Sequence, residues 1–547
     1  MLTPSLRLGL AATLIGVTVA CNPEEIVSTS PEIGARQARA PLAVAPLQQP
    51  PQEPLETAYS KTFVRNAGRP DMFTEALDLS RFEGNFVLTV TSGDGSGGNR
   101  VRAGSLMVDG VELLSPASFA GATTTFTFTF EDAPATLEVV LLGAPGSAVR
   151  VEIQGHPRRW RVCPGESFFR TYPTVQQAVA AATAGATIWV CDGVHTASAL
   201  VNKPLTIRPE HPGAATLRDG IAPVFLVNGL TTGMFRVVDL RFVLRQRALS
   251  ATGTWTRIEM DSVTITSVDS ANTTAIRTAP ANAASQLHLM RSSIAGVAGG
   301  VVAMGGTVNV SESTFERTGQ AISTFTQGRV DDNTFSSCGM SCVVISGRGD
   351  VTVAGNTIVI LGGPRVGSAI QVQVDGVSPA GQAPIRIENN DITGVASATP
   401  ELPASWVLER GVGVFTNAGS AAASIVVGGN RISQARAALA VYSINGTVID
   451  AHDNIIDGVF TGLHGDGNPL NPAPINSVIN FRRNDVTNAV RSFGPWAGLV
   501  TLDATCNWWG SAAGPQNMLW PIGVPLDPGV FTPWATEPIA GSTVSCP

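Results

Sequence analysis

Val351-Thr-Val-Ala-Gly-Asn356-Thr-Ile358 and Ile425-Val-Val-Gly-Gly-Asn430-Arg-Ile432 are two copies of one pattern, V-x-V-x-x-N-x-I. Alternating β-branched residues belong to a short strand, and the Gly, Asn and small polar residues that follow belong to a tight turn. Asn333, Asn390, Asn454, Asn484 and Asn507 stand in the same frame. With Asn356 and Asn430 they precede by two positions Phe335, Ile358, Ile392, Ile432, Ile456, Val486 and Trp509. Upstream the apolar column continues without asparagine through Phe315, Ile294, Ile265 and Phe242. From Phe242 to Trp509 its successive steps are 23, 29, 21, 20, 23, 34, 40, 24, 30 and 23 residues. A repeat of about 20 to 30 residues marks a solenoid.

Each coil is expected to stack on the next at about 4.8 Å, its parallel strands pooling their inward side chains into one core. Roughly ten coils then make a rod about 50 Å long. Asparagine at the same turn of every coil has a physical reason. It tolerates left-handed backbone angles, and its amide can bond to the coils above and below. A catalytic group is needed once, whereas a turn residue is needed in every coil, so the column reads as structural.

Composition agrees with a large β-rich core: among 547 residues there are 57 Gly, 14% charged residues and 6% aromatics. That length alone suggests two to four domains as a soft prior. The net charge is −7, Lys61 and Lys203 are the only lysines, and no basic run occurs. This excludes the electrostatic footprint of a nucleic-acid-binding protein.

Arg7 precedes an apolar stretch from Leu8 to Ala20, too short for an ordinary transmembrane helix and suited to an export signal. The Thr18-Val19-Ala20-Cys21 run resembles a bacterial lipobox. That resemblance implies cleavage before Cys21 and a diacylated N-terminus, hence a lipid-anchored protein of the cell envelope, on the outer membrane. Residues 22–56, with PLAVAPLQQPPQEPL, read as a disordered, partly polyproline-like tether. Of the 7 cysteines, six remain once Cys21 is set aside. An exported context permits disulfides, and proximity suggests Cys163 with Cys191, Cys338 with Cys342 and Cys506 with Cys546 among fifteen possible connectivities. No CxxC or histidine spacing points to a metal site.

Residues 57–156 read as a separate β unit, with strands at Phe86 to Thr91, Ser105 to Val108, Thr123 to Phe130, Ala135 to Leu142 and Val149 to Gln154. MVDGVELLSPASF and LEVVLLGAPGSAVRVEIQG within it resemble an accessory β-sandwich of exported bacterial proteins. Thr174 to Ala184 then reads as a short helix with Val175, Ala178, Val179 and Ala182 on one face, capping the open end of the first coil.

The segment from TVQQAVAAATAGATIWV to LTIRPE resembles the entry of right-handed parallel β-helix proteins of the pectate-lyase-like class, and CNWWGSAAGPQ at Cys506 to Gln516 resembles their closing segment. The resemblance covers about residues 159–516 and leaves 517–547 as a tail tied by a disulfide. It implies an all-β fold, a single-stranded right-handed parallel β-helix behind an N-terminal β-sandwich. The class contains polysaccharide lyases, uronan epimerases, glycoside hydrolases and adhesins, so architecture does not select an activity. The NTD and GHG signatures of polygalacturonase-type hydrolases and the DPH strand of alginate epimerases do not occur, and Asp331-Asp332 falls in a coil turn. No catalytic residue therefore transfers. A lyase-like reaction would add Ca²⁺; otherwise no cofactor is expected.

A binding face is legible where the repeat lengthens. With Ile370, Val412 or Val414, Leu439 and Leu463 aligned inward, alternation points Gln371, Gln373, Asp375, Phe415, Asn417, Tyr442, His464 and Asp466 outward on adjacent coils. Insertions around residues 361–368, 376–384, 394–411 and 465–476 flank this one strand as the walls of a groove. Phe415 and Tyr442 would stack on pyranose rings, amides would bond hydroxyls, and Arg365 and Arg410 would pair with uronate carboxylates. His464 and Asp466, two apart in GLHGDG, with Asp375 and Arg410, are the candidates for acid–base chemistry, although HGDGNP also has the composition of a solvated turn. His195 and His452 are read as packing and solvent-facing residues respectively.

Two functional readings follow: a membrane-tethered protein that binds a cell-surface glycan or serves as a surface rod, and a polysaccharide lyase, C5-epimerase or hydrolase acting in the groove.

Overall fold

The computed structural model describes residues 55–539 except 67, 94–97, 158, 167–169, 221, 270–271, 348, 363–364, 375–381, 397, 401, 417–422, 443–445, 467–476, 495–499 and 516–529. Cys21, the export signal and most of the tether, and also Cys546, Asp375 and Asn417, lie outside the described residues.

The repeat folds into three parallel sheets of 15, 12 and 12 strands, in which every strand pairs with its counterpart in the next coil. Among the described residues twelve coils contribute one strand to each sheet, and the first sheet adds Trp160–Val162 and Thr171–Tyr172 before them and Val500–Asp503 after them; twelve is more than the roughly ten expected. The extra coils precede Phe242. In the second sheet Phe242 pairs with Leu217 and Leu217 with His195, so the column begins with residues that carry neither asparagine nor a large aromatic. His195 is that first position, 6% exposed, with Nε2 2.7 Å from the Cys191 carbonyl.

The asparagine column is a buried hydrogen-bonded ladder. Asn390 donates from its backbone N–H and its Nδ2 to Asn430 Oδ1 at 3.0 and 2.9 Å, and Asn430 repeats both bonds to Asn454 at 2.9 and 3.0 Å. Each Nδ2 also donates to a carbonyl, as Asn430 does to Ile387 at 2.8 Å. Two upstream coils use serine in the same place: Ser313 N–H donates to Asn333 Oδ1 at 2.9 Å and Ser292 N–H to Ser313 Oγ at 3.1 Å. The left-handed backbone does not belong to the ladder residue, which corrects the first half of the argument from sequence. It belongs to the residue before it: Asp332, Gly355, Asn389, Gly429, Asp453, Arg483 and Cys506 all have φ between 55° and 66°. Asn, Asp and Gly tolerate that region best, and only the position after it needs an amide.

The core between the sheets is apolar and continuous, with Phe225, Phe235, Phe315, Phe335, Ile370, Val412 and Leu463 fully buried. At its open start lies the helix Val175–Ala181, whose N-cap Thr174 accepts from Gln177 N–H at 3.3 Å. Lys203 Nζ closes its other end by donating to the Ala180 and Ala182 carbonyls at 3.0 and 2.6 Å. At the far end Trp509, Phe493 and Phe531 pack with ring centroids 4.9 and 5.0 Å apart, and Ile539 N–H donates to Asp485 at 2.7 Å.

The N-terminal unit is two four-stranded antiparallel sheets over a separate apolar core that includes Leu88, Val90, Val139, Leu141 and Val151. One sheet runs Glu56–Val64, Ala148–Pro157, Phe82–Ser92, Thr125–Phe130; the other runs Asp71–Ala76, Thr136–Leu141, Gly104–Val108, Val111–Leu114.

Disulfides join Cys163 to Cys191 and Cys338 to Cys342. Cys506 is also disulfide-bonded.

Candidate functional site

Six consecutive strands of the third sheet carry the candidate residues: β1 (Ser341–Ile345), β2 (Ser368–Val374), β3 (Arg410–Thr416), β4 (Ala437–Tyr442), β5 (Thr461–Asp466) and β6 (Arg491–Phe493). Ile370, Val412, Leu439 and Leu463 pair in one inward row, which decides between Val412 and Val414. Period-2 alternation then sets two outward rows. Gln371, Gly413, Ala440 and His464 form one; Gln373, Phe415, Tyr442 and Asp466 form the other. The side chain of Asp466 lies outside the described residues.

Because they occupy adjacent rungs, Phe415 and Tyr442 stack on each other, their centroids 4.8 Å apart and their planes 4° from parallel. Arg410 holds the pair. Its Nε donates to the Tyr442 hydroxyl at 2.9 Å, Nη1 donates to the Gly367 carbonyl at 3.0 Å, and the guanidinium lies 4.8 Å from the Tyr442 ring centre and 5.3 Å from that of Phe415. Gly413 makes the room: a Cβ there would stand 3.0 Å from the Phe415 ring and 3.1 Å from Arg410 Cδ. The other face of Tyr442 meets His464, with ring centres 6.0 Å apart. His464 in turn rests on Gly494, where a Cβ would approach Nδ1 to 2.4 Å. Gln371 accepts from Ser341 Oγ at 3.2 Å one coil away.

Next to this aromatic pair is a cleft of about 100 Å³ lined by Glu409, Arg436, Tyr442, Phe460, His464 and Arg491, among others. Glu409 is its one carboxylate among the described lining residues. It lies 3.2 Å from Arg365, 3.2 Å from Arg410 and 3.9 Å from Arg436. Arg365 is therefore already matched to Glu409, and Arg410 is bound into the protein. The aromatic stack uses one face of each ring and His464 meets the other face of Tyr442, so the pair offers its edges and the outer face of Phe415 to a ligand.

Sequence reasoning passed over Glu409, Arg436, Phe460 and Arg491. Their signal was positional: Glu409, Arg436 and Phe460 stand three residues before Val412, Leu439 and Leu463, and Arg491 two before Phe493, so fixing the inward row would have aligned them.

A second charged cluster lies on the first sheet, where Glu259 and Asp261 are 7% and 3% exposed. Arg236 pairs with both, at 3.0 and 3.2 Å, and Arg257 and Arg291 add contacts at 3.4 and 2.5 Å. Burial raises the Asp239 carboxyl nearby above its ordinary range, against the pull of Arg208. Each acid here is answered by a guanidinium from a neighbouring coil, which ties coils together. Cys163, Cys191 and Glu210 also converge, but the two sulfurs are joined to each other and Glu210 is paired with Arg161 at 2.5 Å.

The chain is a right-handed parallel β-helix. No family model and no curated protein matches it. Among solved structures it is similar to the catalytic unit of a GH87 α-1,3-glucanase from Streptomyces thermodiastaticus, with 13% identity over 88% of this chain and 97% of that one and a TM-score of 0.41. It is similar also to a GH87 α-1,3-glucanase catalytic domain in complex with nigerose (11% identity, 86% and 92% coverage, TM-score 0.36). A third is a double mutant of the periplasmic alginate epimerase AlgG (11% identity, 58% and 77% coverage, TM-score 0.33). At these identities and TM-scores the likeness carries no argument about activity.

Proposed function

We propose that this chain is an exported, lipid-anchored glycan-binding protein of the bacterial cell envelope, held on the outer membrane through Cys21 and binding an extended sugar chain along the third sheet. One observation carries the reading. Arg410 fixes the parallel, stacked Phe415–Tyr442 pair at the rim of a cleft lined by Tyr442, Phe460, His464 and Arg491, an aromatic and polar surface running across successive coils. Preformed aromatic surfaces with a few fixed polar groups suit sugars, whose rings present apolar faces and whose hydroxyls need hydrogen-bond partners. A rise of about 4.8 Å per coil places the side chains of adjacent rungs about one sugar unit apart.

The one described carboxylate of the cleft supports binding without turnover. Glycoside hydrolysis ordinarily uses a pair of carboxyl groups about 5 to 10 Å apart. Glu409, the described acid of this cleft, is committed to Arg365 and Arg410.

Affinity electrophoresis of the full chain through gels containing neutral and acidic polysaccharides tests the reading. Retardation by at least one glycan, lost in Phe415→Ala/Tyr442→Ala with an unchanged melting midpoint, is the expected result. Equal mobility in every gel overturns it, and new reducing ends or unsaturated product would move the assignment to the enzyme reading.

A further inference from the structure

Most arginines of the β-helix are matched by acids, as Arg329 is by Asp331 at 2.7 Å, Arg386 by Glu388 at 2.9 Å and Arg483 by Asp453 at 2.9 Å. Four in the entry coils are not. Arg218, Arg245, Arg247 and Arg277 form no ion pair among the described residues. Arg277 Nη2 reaches Met304 Sδ at 3.5 Å. Burial, and after it the charge of Arg277, lower the Arg247 guanidinium from its ordinary value, so two like charges face each other here.

The fold gathers the four at the corner between the second and third sheets. Arg218 pairs with Val243 in the second sheet, and Arg245 and Arg247 lie in the turn that leads from Arg241–Leu244 into Leu249–Gly253 of the third. In the third sheet Leu200, Leu226, Ser250 and Arg277 pair in one outward row, so Arg277 stands two rungs, about 10 Å, beyond Leu226. Two carboxylates share the corner. Asp219, 6% exposed, accepts from the N–H groups of Arg245 and Arg247 at 2.6 and 3.0 Å and from that of Gln246, which commits it to shaping the turn. Asp269 is exposed. Cations are therefore in local excess, although the chain as a whole carries −7.

The same corner exposes apolar side chains: Leu200 is 46% exposed, Leu226 38% and Val268 63%. Val268 N–H donates to the Leu244 carbonyl at 2.9 Å, which sets Val268 beside Arg245. A soluble polyanion would satisfy the arginines and leave these side chains in water. A bilayer with anionic headgroups takes both, since phosphate accepts from guanidinium forks and the acyl boundary receives shallow apolar groups.

We propose that the entry coils dock on an anionic phospholipid surface through Arg218, Arg245, Arg247 and Arg277, with Leu200, Leu226 and Val268 set into the headgroup boundary. This contact is separate from the glycan face of the later coils and from acylation at Cys21, and it rests on neither.

Sedimentation of the full chain carrying Cys21→Ser, so that no acyl chain contributes, tests this with vesicles of phosphatidylcholine alone and of phosphatidylcholine and phosphatidylglycerol in equal parts. Partition onto the phosphatidylglycerol vesicles should be at least tenfold stronger and should fall as salt rises. In R245Q/R247Q/R277Q that ratio should collapse toward one while the melting midpoint holds. Phenylglyoxal footprinting read by mass spectrometry needs no substituted arginine, so it stands even if the triple variant folds poorly. Phosphatidylglycerol vesicles should slow modification of the four arginines and leave that of Arg317 and Arg386 unchanged. Equal partition onto both vesicles, a preference retained in the triple variant, or no protection of the four arginines overturns the proposal. So does capture by dextran sulfate without partition onto phosphatidylglycerol vesicles, which would assign the patch to a soluble polyanion.

Discussion

Arg410 Nε donates to the Tyr442 hydroxyl at 2.9 Å from the neighbouring coil, while the same guanidinium lies 4.8 Å from the centre of the Tyr442 ring. One side chain thus fixes both the position and the tilt of an aromatic ring that lines the cleft. If this contact holds the ring, a double-mutant cycle of Arg410→Ala and Tyr442→Phe should give a coupling of about 1 kcal/mol in urea denaturation. Additive effects would mean that the hydroxyl and the guanidinium do not restrain each other.

Gly413 lies beneath the aromatic pair and Gly494 beneath His464. Adding a methyl at Gly413 brings Cβ to 3.0 Å from the Phe415 ring and 3.1 Å from Arg410, so Gly413→Ala should displace the Phe415–Arg410–Tyr442 assembly. Glycan affinity should drop about tenfold with a stability loss of about 1 to 3 kcal/mol. Unaltered affinity would show that the assembly is not the contact surface.

The asparagine ladder is a stability element. Asn430→Ala removes the acceptor of two Asn390 donors and the donor to Ile387 O, all at a 0% exposed site. Buried donors left unsatisfied make the expected loss about 2 to 4 kcal/mol, read from chemical denaturation of the full chain. Ser313→Ala breaks a shorter network, since Ser313 Oγ accepts from Ser292 and donates to Ser311 O, and should cost about half as much. Equal costs would remove the special role given to the amide.

The two described disulfides close loops of unequal length, with sequence separations of 28 and 4. On the chain-entropy account, replacing Cys163 and Cys191 by Ala should cost about 3 to 4 kcal/mol, and replacing Cys338 and Cys342 about 2 kcal/mol. The reverse order in denaturation midpoints would contradict that account.

Acid lability should come partly from Asp453. Burial pushes its carboxyl upward, but hydrogen bonds from Arg483 and His452 outweigh that and hold it below the ordinary range. A depressed folded value stabilises the fold above the unfolded pKa of about 4, and that contribution disappears as pH falls through the folded value. Asp453→Asn should therefore be less stable than the unmodified chain at pH 6 and closer to it at pH 3, by less than about 1 kcal/mol because the pair is largely exposed. A gap that widens toward pH 3 would reverse the assigned sign.

The sequence made the solenoid legible because a turn amide and a following apolar residue recur at each coil, and hydrogen bonding enforces both. The first two coils were legible only through the resemblance of the entry segment to other β-helices, since His195 and Leu217 occupy the column there without a repeated neighbour. In the sandwich, Phe82–Ser92 and Ala148–Pro157 are central strands with strong alternation, whereas Asp71–Ala76, an outer strand of the other sheet, alternates only between half-buried and exposed residues and left no apolar signature. The outward rows of the third sheet were readable from alternation alone. What alternation could not supply was direction: it placed Phe415 and Tyr442 outward, but their mutual stacking and the Arg410 clamp depend on side-chain rotamers. Arg365 shows the same limit, because its partner Glu409 lies 44 residues away in sequence.

Hydrogen–deuterium exchange of the full chain, with and without saturating polysaccharide, tests the central claim most directly. Protection confined to β3, β4 and β5, strongest around Arg410–Thr416 and Ala437–Tyr442, is the predicted result. Protection that falls instead on the first sheet or the N-terminal sandwich, with β3 to β5 unchanged, would contradict it.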